Sequence, residues 1–279
     1  MVLVTDKQYY IEKEMIEKLD LCLERQKTNW DNLFIVDGME GAGKSTLTVG
    51  LANYIAHKLN KKFTVDNIFF NANDMLDYAS SHEAEVIVWD EAATAALASQ
   101  WQSRIQQKMI QILMMARKKR HFFFFLIPKF WKLNEYLVDR AIGLIHVYSP
   151  DFLTRGYYVY FTYENKNHLW ERFKVEKRKS YKIGWTFRGK FRENSFVIDK
   201  EAYEKKKDEA IRKVFNDDNQ KPDRTEFYKK KLDDLRQRIS NLPKRIGISQ
   251  TELAEKLDLD RRTLWDWRND GSNREEILS

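Results

Sequence analysis

Apolar and polar positions alternate along the first half of the chain as strands and helices would. Residues 8–26 place Ile11, Met15, Leu19 and Cys22 on one helical face, predicting a helix that packs on the adjoining domain. Leu33 to Val36 is a short apolar run of strand type. Residues 45–59 contain no Gly after Gly50 and no Pro, and Leu47, Leu51, Tyr54, Ile55 and Leu59 recur at helical spacing. A strand is predicted over 63–70, a short helix over 73–80 and a strand over 85–89. A long helical pattern covers 94–120, with Ile105, Met109, Ile112, Leu113 and Ala116 in register. The run 121–128 is apolar on both faces and should be a central strand. A helix over 129–141 and a strand over 143–148 complete a β-α alternation, which predicts an α/β domain with a mostly parallel sheet covered on both faces.

The pattern changes after residue 150. Alternation over 157–163, a turn at 164–167 and an apolar run from Leu169 to Phe173 read as a β-hairpin, with a further strand pair around Arg188-Gly189-Lys190. Residues 200–220 are charged and helical, and 216–223 read as a linker. Tyr228, Leu232, Leu235, Ile239 and Leu242 are spaced by four and three, a coiled-coil-like face predicted to pack on the next module. Ser249-Gln250-Thr251-Glu252 then opens a helix with capping-box chemistry. A turn at Asp258-Leu259-Asp260 leads into a second helix, 261–268, capped by Asp260. The predicted divisions are an N-terminal helix (1–30), a core (31–152), a basic aromatic β-hairpin extension (153–199), a charged helix with linker (200–226) and a small all-α domain (227–279).

The strand-to-helix junction at Val36 carries Gly38-Met39-Glu40-Gly41-Ala42-Gly43-Lys44-Ser45, a G-x-x-x-x-G-K-S phosphate-binding loop in the context it requires. Its glycines let backbone N–H groups approach phosphate oxygens, and the N-terminus of the helix after it favours negative charge. Residues 38–46 are therefore the candidate nucleotide site. Lys44 is expected to reach the β- and γ-phosphates, Ser45 to ligate Mg²⁺ and Thr46 to touch a further oxygen. A strand ending in Asp90-Glu91 would bring Asp90 beside this loop to hold Mg²⁺ through water, with Glu91 placed to polarise an attacking water. Arg117-Lys118-Lys119-Arg120 either complements a helix dipole or contacts phosphate. Arg140 either pairs with Asp139 or Glu135, or serves as a sensor or arginine finger.

Charge sharpens this picture. The formal net charge is +7, and residues 1–150 hold equal numbers of acids and bases, so the surplus lies wholly beyond them. Residues 153–192 alone carry eleven basic and three acidic side chains, interleaved with aromatics. Arg172, Lys174, Lys177, Arg178, Lys179, Arg188 and Lys190 are candidate nucleic-acid contacts, the alternative being a half-buried sheet with solvated lysines. The single cysteine, Cys22, excludes a disulfide framework and points to a reducing, cytoplasmic setting. The five histidines lack metal-ligand spacing, and the longest apolar run, 122–127, is too short to span a bilayer, so no direct membrane insertion is expected.

The segment 248–271 resembles the helix-turn-helix module of small repressors and phage regulators, which implies that Arg261, Arg262 and Thr263 meet DNA and that Leu264 is core. It departs from that pattern at Asp258, where the family usually has Gly. Residues 30–150 resemble P-loop ATPases with a catalytic glutamate, within them the FtsK/HerA group and the zonula-occludens-toxin-like ATPases of phages and mobile elements. The features matched are the Asp90-Glu91 pair, the basic segment before the apolar strand ending at Pro128, and Arg140 before the last strand. The resemblance implies a RecA-like fold and an ATP- and Mg²⁺-dependent DNA motor (translocation, packaging or transfer). It further implies a homo-oligomer, often a ring, working with phage or mobile-element partners in the host cytoplasm. Pro128 stands where a polar sensor would end its strand. Two alternatives stay open. One is a DNA-binding regulator switched by nucleotide. The other is a nucleoside monophosphate kinase, since Phe34 to Thr46 looks like the start of thymidylate kinases.

Overall fold

The structure, a computed structural model, describes residues 3–4, 7–90, 107, 110–111, 113–114, 117–182, 184–219, 231–236, 238–239, 241–242 and 247–269. The chain divides into two compact units, Met1–Val214 and Phe215–Ser279.

The first unit is an α/β layer structure around a seven-stranded, mostly parallel mixed sheet. A small ladder, β1 (Leu3–Val4) with β2 (Lys7–Gln8), precedes α1 (Lys13–Lys27). The helix thus starts later than its apolar periodicity predicts, because the chain pairs as a ladder at Lys7–Gln8. The sheet strands are β3 (Asn32–Gly38), β4 (Ile68–Phe69), β5 (Val86–Asp90), β6 (Phe122–Ile127), β7 (Gly143–Tyr148), β8 (Tyr157–Thr162) and β9 (Phe187–Lys190). Their spatial order is β4-β5-β6-β3-β7-β8-β9. The first five run parallel, and β8 and β9 close one edge antiparallel.

Strand periodicity explains the two cores. Phe34 and Val36 of β3 face a layer with Met15 and Leu19 of α1 and Leu47, Leu51 and Ile55 of α2 (Lys44–Lys58). Leu33 and Ile35 face the other layer. It holds Met75 and Ala79 of α3 (Ala72–Ser81), Leu137 and Val138 of α4 (Glu135–Arg140), and Leu169 and Trp170 of α5 (Tyr163–Glu176). The phenylalanines 122–125 alternate between both layers at 0–1% exposure, each contributing roughly 1.5–3 kcal/mol of burial.

The hairpin expected at 157–173 is not formed. Tyr157–Thr162 is a strand, but the chain then enters α5 rather than turning. No Gly or Pro at 164–167 permits a tight turn. The Thr162 side chain instead accepts the Asn165 N–H as a helix cap. Lys166, Leu169 and Trp170, spaced at three and four, form the buried helical face. The expected extension is therefore the antiparallel edge of the main sheet. Three smaller expectations are also corrected. The 63–70 strand shrinks to Ile68–Phe69 because a Thr64–Asn67 capping box forms a 3₁₀ turn first. The 129–141 helix splits into a 3₁₀ turn, Phe130–Lys132, and α4, because Asn134 caps a new start. The linker begins later, since α6 (Lys200–Asn219) runs through 216–219. Most of the 94–120 pattern lies outside the described residues.

In the second unit, α7 (Gln250–Lys256) is capped by Ser249, whose Oγ accepts the Glu252 N–H. Asp260 Oδ1 accepts the Arg262 N–H at the start of α8 (Arg261–Asn269). Leu253, Ala254 and Leu264 form a small core on which Ile239, Leu242, Ile248 and Leu259 pack. The 228–242 pattern thus packs on this module through Ile239 and Leu242. Asp258 sits at φ +52° in the turn. That is the left-handed region glycine favours and aspartate tolerates.

Candidate functional site

The candidate site lies at the carboxyl ends of the parallel strands, where chain order reverses around β3. Strands β4 to β6 follow β3 on one side and β7 lies on the other. Open α/β sheets bind ligands at such points. Gly38 ends β3 at φ +143°, and a Cβ there would lie 2.1 Å from the Val147 carbonyl oxygen, so only glycine fits this approach to β7. Gly41 and Gly43 also have positive φ, at +76° and +100°. Gly43 is the N-cap of α2 and has no side chain to cap it, and no acid occupies the helix's first turn. The N-terminus of α2 thus keeps its donors and dipole for an anion.

Lys44, 8% exposed, curls over the loop. Its Nζ donates to the Gly38 carbonyl at 2.7 Å and the Met39 carbonyl at 3.1 Å. Burial pulls its amine below the usual lysine range, and the carboxylates of Asp90, Asp37 and Glu40 pull back. Such a buried cation fits a place where phosphate charge arrives. Ala42 is buried, Thr46 is half-buried, and Met39 and Glu40 are exposed on the loop. β5 ends at Asp90, whose Oδ2 accepts the Ser45 hydroxyl at 2.7 Å. Lys44, Ser45 and Asp90, chosen from sequence, are thus brought together. Glu91 lies outside the described residues.

Arg140 is not with them. Its guanidinium bonds both Asp31 carboxylate oxygens, at 2.7 and 2.6 Å, just before the first residue of β3. Six residues of strand separate that end from Gly38, roughly 20 Å. Its partner is neither Asp139 nor Glu135, and the ion pair holds it at the opposite rim of the sheet from the loop. Of the 117–120 cluster, Lys119 pairs with Glu83 and the Arg120 carbonyl accepts from Gln26.

Four features of the site escaped the sequence. Asp37, 1% exposed, accepts the Phe130 N–H at 3.2 Å and the Tyr181 hydroxyl through Oδ2, and meets His146 Nδ1 at 2.9 Å through Oδ1. The His146 and Tyr181 rings stack with centroids 3.6 Å apart. Asp37 and His146 are cross-strand partners in the β3–β7 register, which only the strand pairing reveals. Second, a Cβ on Gly41 would lie 3.9 Å from Arg155 Nη2, which puts this exposed guanidinium beside the loop. The Arg155 loop is fixed by Asp151, whose Oδ1 accepts the Leu153 and Thr154 N–H groups at 2.9 and 2.6 Å. The Thr154 hydroxyl, donating to Oδ2 at 2.6 Å, and then these backbone bonds hold the Asp151 carboxyl down at about 2. Third, Phe191 donates its N–H to the Gly156 carbonyl at 2.9 Å, and its ring occupies the space a Gly43 Cβ would need. Fourth, α6 brings Tyr203 to Asp90 at 2.8 Å, and the nearby Lys207 charge weakens the proton affinity of Lys44.

The basic 153–192 region divides. Arg172 pairs with Glu176, Lys174 with Glu135, and Lys166 is buried. Lys177, Arg178, Lys179, Arg188 and Lys190 are exposed. Lys179, Arg188 and Lys190 lie over the rings of Phe173, Trp185 and Tyr157. Of the interleaved aromatics, Trp170 and Phe191 are core, whereas Trp185 and Tyr163 stay exposed. In the second unit Arg262 is exposed, Thr263 half-buried and Leu264 buried at 2%, while Trp265 is 58% exposed. Arg261 opens α8.

Among the described residues no cluster of three or more His, Cys, Asp or Glu side chains forms a metal site, and no helix is long and apolar enough to cross a membrane. No family model and no curated protein matches the chain.

Proposed function

We propose that the chain is a P-loop ATPase that binds ATP with Mg²⁺ at residues 38–46 and uses the hydrolysis to act on DNA. The contact of Ser45 with Asp90, beside the desolvated ammonium of Lys44, carries this reading. The order β7-β3-β6-β5-β4 is compatible with a RecA-like fold. The residues fit the cation. A hydroxyl and one carboxylate meet at hydrogen-bond distance, the sparse protein set that Mg²⁺ takes when phosphate oxygens and waters complete its shell. Ser45 and Asp90 would hold it, and when bound it neutralises charge on the β- and γ-oxygens. The chain's own residues do the rest. Loop N–H groups and Lys44 orient the triphosphate, and Glu91, assigned from sequence alone, prepares the water.

The exposed cations at 177–179, 188 and 190 and the two-helix module with Arg261, Arg262 and Thr263 support DNA as the load. A homo-oligomer with mobile-element partners remains part of the proposal. Arg140 is left out of it, because its ion pair with Asp31 already occupies the side chain. One observation favours the nucleotide-switched regulator as a second reading. α6, which carries Tyr203 onto Asp90, continues in sequence past Val214 into the unit bearing the two-helix module.

ATP turnover measured alone, with double-stranded DNA and with nucleoside monophosphates separates the possibilities. Stimulation by DNA supports the motor, and slow turnover indifferent to DNA supports the switch. Phosphate transfer to a monophosphate would replace both with a kinase.

A further inference from the structure

We infer that Tyr203 is a positioning residue for the magnesium side of this site, fixing the Asp90 carboxylate in the orientation that faces Ser45. The inference rests on the nucleotide site proposed above. Asp90 Oδ2 accepts two hydroxyls, from Ser45 at 2.7 Å and from Tyr203 at 2.8 Å. A carboxylate at a strand end can turn about its terminal bond. Two donors converging on one oxygen from different elements, α2 and α6, remove that freedom.

Tyr203 is itself held. It is 2% exposed, and its ring meets Phe70 at 5.7 Å and Phe196 at 5.2 Å between centroids. The turn that carries it is pinned on both sides. Asp199 Oδ1 accepts the Glu201 and Ala202 N–H groups at 2.9 and 3.1 Å. Three residues beyond Tyr203, Lys206 Nζ donates to the Val65 carbonyl at 2.9 Å and lies over the Phe69 ring. Phe69 ends β4, the neighbour of β5, so α6 and Asp90 are braced on adjoining strands. A tyrosine hydroxyl is protonated at neutral pH, so it is a donor to the carboxylate there. Partners that orient a metal-holding side chain typically contribute 10–100-fold in metal affinity.

The test is a Mg²⁺ titration of ATP binding to the full chain, monitored with a fluorescent ATP analogue. It is repeated with Mn²⁺, whose free concentration is read directly by electron paramagnetic resonance. Tyr203→Phe keeps the ring packing and removes only the donor. It should raise the half-saturating Mg²⁺ and Mn²⁺ concentrations by about tenfold, the lower end of the usual range, while binding of the analogue in EDTA stays as in the parent. Lys206→Ala, which loosens the same turn without touching the carboxylate, should give a smaller shift in the same direction. Equal cation midpoints in the parent and Tyr203→Phe, with nucleotide still bound, would overturn the role of Tyr203 and leave the ATP site standing. A parent that shows no cation-dependent nucleotide binding would overturn both.

Discussion

Lys166→Met should stabilise the protein at neutral pH and lose that advantage in alkali. Lys166 is fully buried on α5, its amine donating to the Val138 carbonyl and to Asn167. Burial lowers its pKa from 10.5 to about 8, with Asp139 and Glu164 only partly compensating. At 1.36 kcal/mol per tenfold change in proton affinity, the folded state holds the ammonium at a penalty of roughly 3 kcal/mol. Below pH 8 both folded and unfolded chains carry the proton, so the penalty is fully present at pH 7. Between about 8 and 10.5 the unfolded chain binds more protons, so stability rises with pH across that window and the penalty fades. Methionine fills the same slot without charge. Its cost is the loss of the two amine hydrogen bonds, about 1 kcal/mol in all, because the Val138 carbonyl keeps the Ala141 N–H at 3.2 Å and the half-buried Asn167 oxygen can turn to water. The variant should therefore gain about 2 kcal/mol at pH 7, or roughly 4–8 °C in Tm for a unit of this size. Urea unfolding monitored by circular dichroism at pH 7 and pH 10 measures both ends. A variant less stable than the parent by the same amount at both values would refute the reasoning.

Three further outcomes are expected. Arg140→Ala leaves Asp31, 4% exposed, buried without its cation; it should cost about 3 kcal/mol in denaturant unfolding and leave ATP affinity unchanged. Arg155→Ala removes the guanidinium beside Gly41. ATP affinity should fall about tenfold, the effect of one charge-assisted contact, with an unaltered melting curve, and unchanged affinity would remove Arg155 from the site. Gly38→Ala puts a methyl group 2.1 Å from the Val147 carbonyl oxygen at φ +143°. It should lower stability by more than about 2 kcal/mol and be visible as a lower urea midpoint.

How much the sequence reveals depends on how local each signal is. The Gly38–Ser45 loop and the strand ending at Asp90 are legible because glycine spacing and apolar runs are written in consecutive residues. The five parallel strands are legible for the same reason, although β4 is far shorter than its apolar composition suggests. α5 is hidden because Tyr157 to Phe173 is rich in aromatics of high strand propensity. Their weight masks the three- and four-residue spacing of Lys166, Leu169, Trp170 and Phe173. Long-range pairs leave no local trace. Arg140 finds Asp31 across 109 residues, Tyr203 finds Asp90 across 113 and Tyr181 finds Asp37 across 144. A periodic pattern says which face is inward, not which distant polar group waits there. Asp258 shows the opposite case, a single turn position whose positive φ is a local backbone property.

The most direct test is equilibrium binding of ATP in the presence of Mg²⁺, by isothermal titration calorimetry, to the full chain and to Lys44→Ala. The parent should bind one ATP per chain, and loss of the Lys44 ammonium should weaken binding by a factor of roughly 10–100, the value of one hydrogen bond to a charged group. No heat of binding to a folded parent, or equal affinity in Lys44→Ala, would contradict a triphosphate site at residues 38–46.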